Sequence, residues 1–94
     1  MRKTIQFNEK GIDQLPNNKP IVYTIKTPAG TNNYTGKAQR GRVLERLKEH
    51  LPGGKDPVPG AKVTIQQKPS IAEAKASEAR IIKRDQPKHN IQGK

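Results

Sequence analysis

The sequence contains no cysteine and no tryptophan, one phenylalanine and two tyrosines. Without thiols it cannot build a disulfide framework, a zinc–thiolate centre or a cysteine nucleophile. Phe7, Tyr23 and Tyr34 are its whole aromatic complement, and only 30% of its 94 residues are hydrophobic. Any core is therefore thin and the folding margin small. No apolar run approaches the roughly 18 residues a membrane span needs. The first residues, Met1 to Asn8, also lack the apolar stretch of a secretory signal,. These absences lead us to expect one small cytoplasmic domain over residues 1–94, with no membrane partner.

Acidic residues are scarce too. Eight Asp and Glu face nineteen Lys and Arg, a formal charge of +11. Residues 1–50 carry ten basic and four acidic groups, residues 51–94 nine and four, so the charge is not a tail on a neutral body,. A uniformly basic small protein meets a polyanion, because each cation near a phosphate releases a condensed counterion. The same composition also describes a disordered basic segment, and only the local patterning separates the two.

That patterning argues for order. Residues 21–26 alternate Ile21, Tyr23 and Ile25 on one face of a strand,. Thr27-Pro28-Ala29-Gly30 supplies a turn, and Thr31 to Thr35 can return as a second strand,. Val43, Leu44, Leu47 and Leu51 recur at helical spacing over 41–51, and Pro52-Gly53-Gly54 stops that helix,. Val63 and Ile65 mark a third strand over 61–68. Ser70 stands three residues before Glu73, a capping-box spacing that opens a helix ending near Gln86, ahead of Pro87,. Residues 3–7 could form a further short strand, and 11–18 reads as a connection. The expected fold is α+β, a small mainly antiparallel three-stranded sheet flanked by helices.

Three features sit awkwardly in a purely structural account. Glu78 falls four residues after Ala74 and three and four before Ile81 and Ile82, within the apolar stripe of the second helix. A carboxylate there is costly unless paired or bound to a metal, or unless it lies at the stripe's edge and reaches solvent. Arg42, Arg46 and His50 follow at four-residue steps along the first helix, as a phosphate-holding stripe or an ordinary solvated face,. Tyr23 and Tyr34 lie on the two hairpin strands. They serve as core residues, or as phenols that orient or deprotonate water if a cation such as Lys37 lowers their pKa from about 10.

Taken together these residues resemble the GIY-YIG nuclease domain. Leu15-Pro16 through Lys19-Pro20-Ile21-Val22-Tyr23 is similar to the family's opening strand, and Tyr34-Thr35-Gly36-Lys37-Ala38 to its second motif in the form found in the excision-repair branch. Arg46-Leu47-Lys48-Glu49-His50 resembles the helix signature, Glu78-Ala79-Arg80-Ile81-Ile82-Lys83 the metal-binding motif, and Pro87-Lys88-His89-Asn90 the closing motif. The resemblance spans roughly residues 15–90, with 1–14 as an N-terminal extension. Ile21 stands where the first motif usually has Gly, and Thr35 replaces the usual Ile. A long gap after Tyr34 leaves Arg42 and Arg46 both open as the catalytic Arg, although only Arg46 has a His four residues on.

The resemblance implies a metal-dependent endonuclease that hydrolyses DNA phosphodiester bonds, in the hydrolase class that includes DNA-repair enzymes. It implies one divalent cation, Mg²⁺ or Mn²⁺, with Glu78 as its ligand. Tyr23, Tyr34, Arg46, His50 and Glu78 would be catalytic. Lys37, Arg40, Arg42, Lys83 and Lys88 would touch nucleic acid, and Gly36 and Asn90 would orient the site. The expected substrate is DNA, branched nucleic acid or RNA, cut with weak sequence specificity or structure selectivity, with targeting left to a partner protein or a homodimer. A non-catalytic nucleic-acid-binding module of the same fold is the alternative. Stability is expected to be marginal and to rise with metal or nucleic acid bound.

Overall fold

A computed structural model describes residues 2–87; Lys88, His89 and Asn90 lie outside them. Four strands, β1 (Arg2–Gln6), β2 (Ile21–Lys26), β3 (Asn32–Ala38) and β4 (Lys62–Gln67), form one sheet in the order β1-β4-β2-β3 with every neighbouring pair antiparallel. Three helices accompany it: α1 (Glu9–Ile12), α2 (Val43–Lys48) and α3 (Ile71–Asp85). The α+β expectation is met, but the sheet has four strands rather than three. The added strand is β1, which pairs along β4 from Arg2↔Gln66 to Gln6↔Lys62. Its own signal is thin because Ile5 is the one buried side chain over residues 3–6, and the partner that stabilises it lies some sixty residues away. Inside the segment read as a connection, α1 is a single turn, started by Asn8, whose Oδ1 accepts from the Gly11 N–H at 2.8 Å,.

Strand alternation divides the sheet into two unlike faces. Ile21, Tyr23 and Ile25 point the same way as their partners Ala38, Gly36 and Tyr34 on β3 and as Ile65 and Val63 on β4. With Phe7, Ile12, Leu15, Val43, Leu47 and Val58 they form the apolar core beneath α1 and α2. Each such aliphatic side chain contributes about 1.5–3 kcal/mol when fully buried, so a small core suffices. The other face is a hydroxyl layer. Thr4 and Thr64 share a hydrogen bond at 3.0 Å, and Thr24 and Thr35 one at 3.4 Å. Over this face α3 packs chiefly against β3 and β2.

Helix ends follow local chemistry. Ser70 Oγ accepts from the Glu73 N–H at 3.2 Å, as its spacing suggests, and Gln86 closes α3 in the left-handed region at φ 46° just before Pro87,. The α2 helix is shorter than its periodicity suggests, ending at Lys48, before His50. Its first N–H is capped from afar: Asn17 Oδ1 accepts from the Val43 N–H at 2.8 Å. The two departures from the family motifs are packing choices. Ile21 is fully buried in the core, and Thr35 lies buried in the hydroxyl layer, accepting from Asn32 Nδ2 at 2.8 Å.

Candidate active site

Gly36 holds the site together. It lies in β3 directly opposite Tyr23 of β2, and the Tyr23 ring lies against it. A Cβ added at Gly36 would stand 2.5 Å from the Tyr23 Oη and 3.0 Å from the Tyr34 ring, so only glycine admits both phenols. Across that gap the Tyr34 ring centre is 6.1 Å from Tyr23 and 4.8 Å from His50. Tyr23 and His50 are both fully buried, and Tyr23 Oη lies 2.8 Å from His50 Nε2.

The direction of that bond follows from the far side of the imidazole. His50 Nδ1 lies 2.8 Å from the Asp56 carbonyl, which can only accept, so Nδ1 carries the proton,. Burial pulls the His50 pKa below its ordinary value, against the pull of that carbonyl, so the ring rests neutral,. Nε2 is then an acceptor and the Tyr23 hydroxyl donates to it. Burial, with Tyr34 adding to it, pushes the Tyr23 phenol far above its ordinary pKa, while Arg46 pulls the other way. Tyr34 is raised as well, chiefly by burial. Both tyrosines are therefore neutral phenols. The sequence-based expectation that Lys37 would lower a tyrosine's pKa is not met. Arg46 is the cation that acts on both rings, and Lys37 Nζ sits 3.3 Å from Glu78 Oε1.

Arg46 projects from α2 beside the phenols and donates to Glu49 Oε1 at 2.9 Å. Burial works against its charge, but Tyr23, Tyr34 and Glu49 together raise its pKa, so it remains a guanidinium. Glu78 reaches the same region from α3 and exerts a field on both tyrosines. Its side chain is 19% exposed, between the two readings of its spacing. The helix surface around it is mixed, with Ala74 and Ser77 buried and Ile81 and Ile82 half-buried.

The structure thus gathers Tyr23, Tyr34, Arg46, His50, Glu78, Lys37 and Gly36. Arg42 is not part of one helical stripe with Arg46 and His50: it is the N-cap residue of α2, is 61% exposed and donates to Glu45. It lines, with Lys37 and Arg46, a concavity of about 300 Å³. Arg40 and Lys83 are exposed and make no ion pair among the described residues. The Asp56 carbonyl, which sets the His50 tautomer, carries no sequence signal, because any residue offers a backbone carbonyl.

A scan against protein-family models and a search of curated proteins both find no match. Among solved structures, the chain is similar to the GIY-YIG N-terminal endonuclease domain of UvrC from Thermotoga maritima, in a point mutant bound to its catalytic divalent cation. The two share 28% sequence identity and a TM-score of 0.67 over 85% of this chain and 90% of the other. The chain is a GIY-YIG-like domain. Within the GIY-YIG-like domain no group of three or more His, Cys, Asp or Glu residues stands ready for a metal among the described residues. Glu49 is engaged by Arg46, and Glu78 is the carboxylate that α3 brings to the cluster; among those residues only its Oε1 takes a hydrogen bond, from Lys37. A single carboxylate suits a hydrated Mg²⁺ or Mn²⁺ completed by water and phosphate oxygens, and does not suit a protein-caged Zn²⁺ or Ca²⁺. No helix of the GIY-YIG-like domain's described residues is long and apolar enough to cross a membrane.

The buried neutral His50 makes stability pH-dependent. Its folded pKa lies below the unfolded value of about 6.5, so the unfolded chain binds more protons on acidification. Stability is complete above that value and falls as the pH drops below it. Urea unfolding at pH 8 and pH 5 will show a lower midpoint at pH 5, and His50→Phe will flatten this difference.

Proposed function

We propose that this chain is a divalent-metal-dependent endonuclease that hydrolyses DNA phosphodiester bonds. The observation that carries this reading is the buried Tyr23–His50 hydrogen bond beside Arg46 and the Glu78 carboxylate, on the fold of an endonuclease domain.

Glu78 would hold the metal, which when bound supplies charge stabilisation at the scissile phosphate and at the leaving 3′ oxygen. Arg46 would grip the phosphate and neutralise charge that develops there. Tyr23 would orient the attacking water through its free lone pair. Its raised pKa excludes tyrosinate as the resting base, so its proton would pass to His50 Nε2 as Tyr23 takes one from the water. The new phosphorus–oxygen bond would form and the bond to the 3′ oxygen break; a solvent water would give the departing 3′ oxygen its proton, and His50 would return its proton through Tyr23 to the hydroxide so formed, leaving 5′-phosphate and 3′-hydroxyl ends. Tyr34, packed on His50, would keep the imidazole in line and contact water or phosphate. Lys37 would move from Glu78 to a phosphate oxygen, and Arg42 would meet the next phosphate along.

Removing only the phenol oxygen tests the relay. Tyr23→Phe should lower single-turnover cleavage by about 10²-fold, the usual range for a positioned proton carrier, and leave DNA affinity within about twofold. Unchanged cleavage would remove Tyr23 from the mechanism. Linear, nicked, flapped and branched DNA should be cut at different rates; equal rates would remove structure selectivity.

A further inference from the structure

The reverse face of the sheet carries a second concave surface. Because α3 packs chiefly against β3 and β2, a trough runs along its flank, over β4 at one end and over β2 and the β2–β3 turn at the other. One end, of about 420 Å³, is lined by Gln66, Lys68, Ser77 and Arg80. The other, of about 480 Å³, is lined by Thr24, Lys26, Asn32 and Thr64, and Ile81 and Arg84 border both. Four cations therefore face one acid. That acid, Asp85, is already taken by Arg84 at 2.8 Å and Asn32 at 3.0 Å. Lys26 and Lys68 make no ion pair among the described residues, and Arg80 has only a neutral partner, Ser77 Oγ at 3.0 Å. On the catalytic side, by contrast, Lys37, Arg42 and Arg46 each face a Glu.

The chemistry of the floor narrows the occupant. It offers the hydroxyls of Thr24 and Thr64 and the Gln66 amide, and no aromatic ring, since Phe7, Tyr23 and Tyr34 belong to the opposite face. Such a surface cannot stack bases; it can neutralise and hydrogen-bond phosphates without reading sequence. Its position matters as much. Arg80 and Arg84 lie about 160° and 120° around α3 from Glu78, at about 100° per residue. A nucleic acid touching both sites has to pass on either side of this helix.

We propose that the trough holds the phosphodiester backbone of a second nucleic-acid arm, diverging across α3 from the strand at the Tyr23–Glu78 cluster. The identity of the first arm rests on the nuclease reading; binding in the trough does not require cleavage. The test is fluorescence anisotropy of wild type in EDTA with a three-way DNA junction and a linear duplex of equal length, across a salt titration. The junction should bind about tenfold more tightly with a steeper salt slope. The triple variant Lys68→Ala, Arg80→Ala, Arg84→Ala should lower the junction slope by about 2 to 3 and bring its affinity to that of the duplex. A folded variant that still prefers the junction overturns the proposal. If the variant does not fold, acetylation of wild type decides. The junction should protect Lys26 and Lys68 as well as Lys37, and protection of Lys37 alone overturns it. Protection of Lys26 and Lys68 by polyglutamate but not by the junction overturns it in favour of an acidic protein. DNA binding that ignores the trough sinks this proposal alone, whereas no DNA binding at all sinks the nuclease reading with it.

Discussion

Glu78→Gln should reduce DNA cleavage by 10³-fold or more, about 4 kcal/mol of activation barrier, while leaving the fold intact. The side chain is the acid that α3 brings to the cluster, while Glu49 is held by Arg46, and no group of three or more His, Cys, Asp or Glu among the described residues offers a ready-made metal cage. Glutamine keeps the shape and removes the charge that a hard cation requires. Its partner Lys37 is 37% exposed and 3.3 Å away, so the lost ion pair should cost no more than about 1 kcal/mol. Mn²⁺ titration followed by electron paramagnetic resonance should show binding to wild type and none to the variant, with superimposable circular dichroism. Retained Mn²⁺ affinity would move the metal site elsewhere.

Gly36→Ala should be nearly as damaging, by a different route. The new methyl would overlap the Tyr23 Oη and Cζ, at 2.5 and 2.6 Å, in a buried ring with no room to retreat. Overpacking of this kind costs about 1–3 kcal/mol of stability. Moving the ring also breaks its 2.8 Å hydrogen bond to His50, so cleavage should fall by about 10³-fold even in the folded fraction. Urea unfolding and single-turnover cleavage separate the two losses. A variant with wild-type stability and rate would show that the phenol does not need its seat on Gly36.

Much of this was legible in the sequence because it is local. The alternation of Ile21, Tyr23 and Ile25 gave β2, and Ser70 with Glu73 gave the start of α3. Tyr23, Tyr34 and Glu78 stood out because a thin composition leaves few explanations for each. What escaped depends on distant partners. The β1 strand exists through pairing with β4, and α2 is capped by Asn17 rather than by its own N-cap residue. His50 read as the end of an exposed stripe. It is buried because α2 stops at Lys48 and the following loop returns, with the Val58 N–H donating to the His50 carbonyl at 2.9 Å. Glu78 lies between the two readings of its spacing, 19% exposed, because the layer beneath α3 mixes threonines with the buried Val22. The Tyr23 pKa shift had the opposite sign from the expected one, because burial of a phenol outweighs one nearby cation,.

The central claim is that the cluster cuts phosphodiesters with the help of a divalent cation. Its most direct test is end-labelled DNA incubated with wild-type protein in Mg²⁺ or Mn²⁺, beside the same reaction in EDTA and beside Glu78→Gln purified identically. Internal cleavage products are expected in the first reaction and intact DNA in the other two. Intact DNA in all three, with wild type bound to it, would contradict the account and leave a nucleic-acid-binding module.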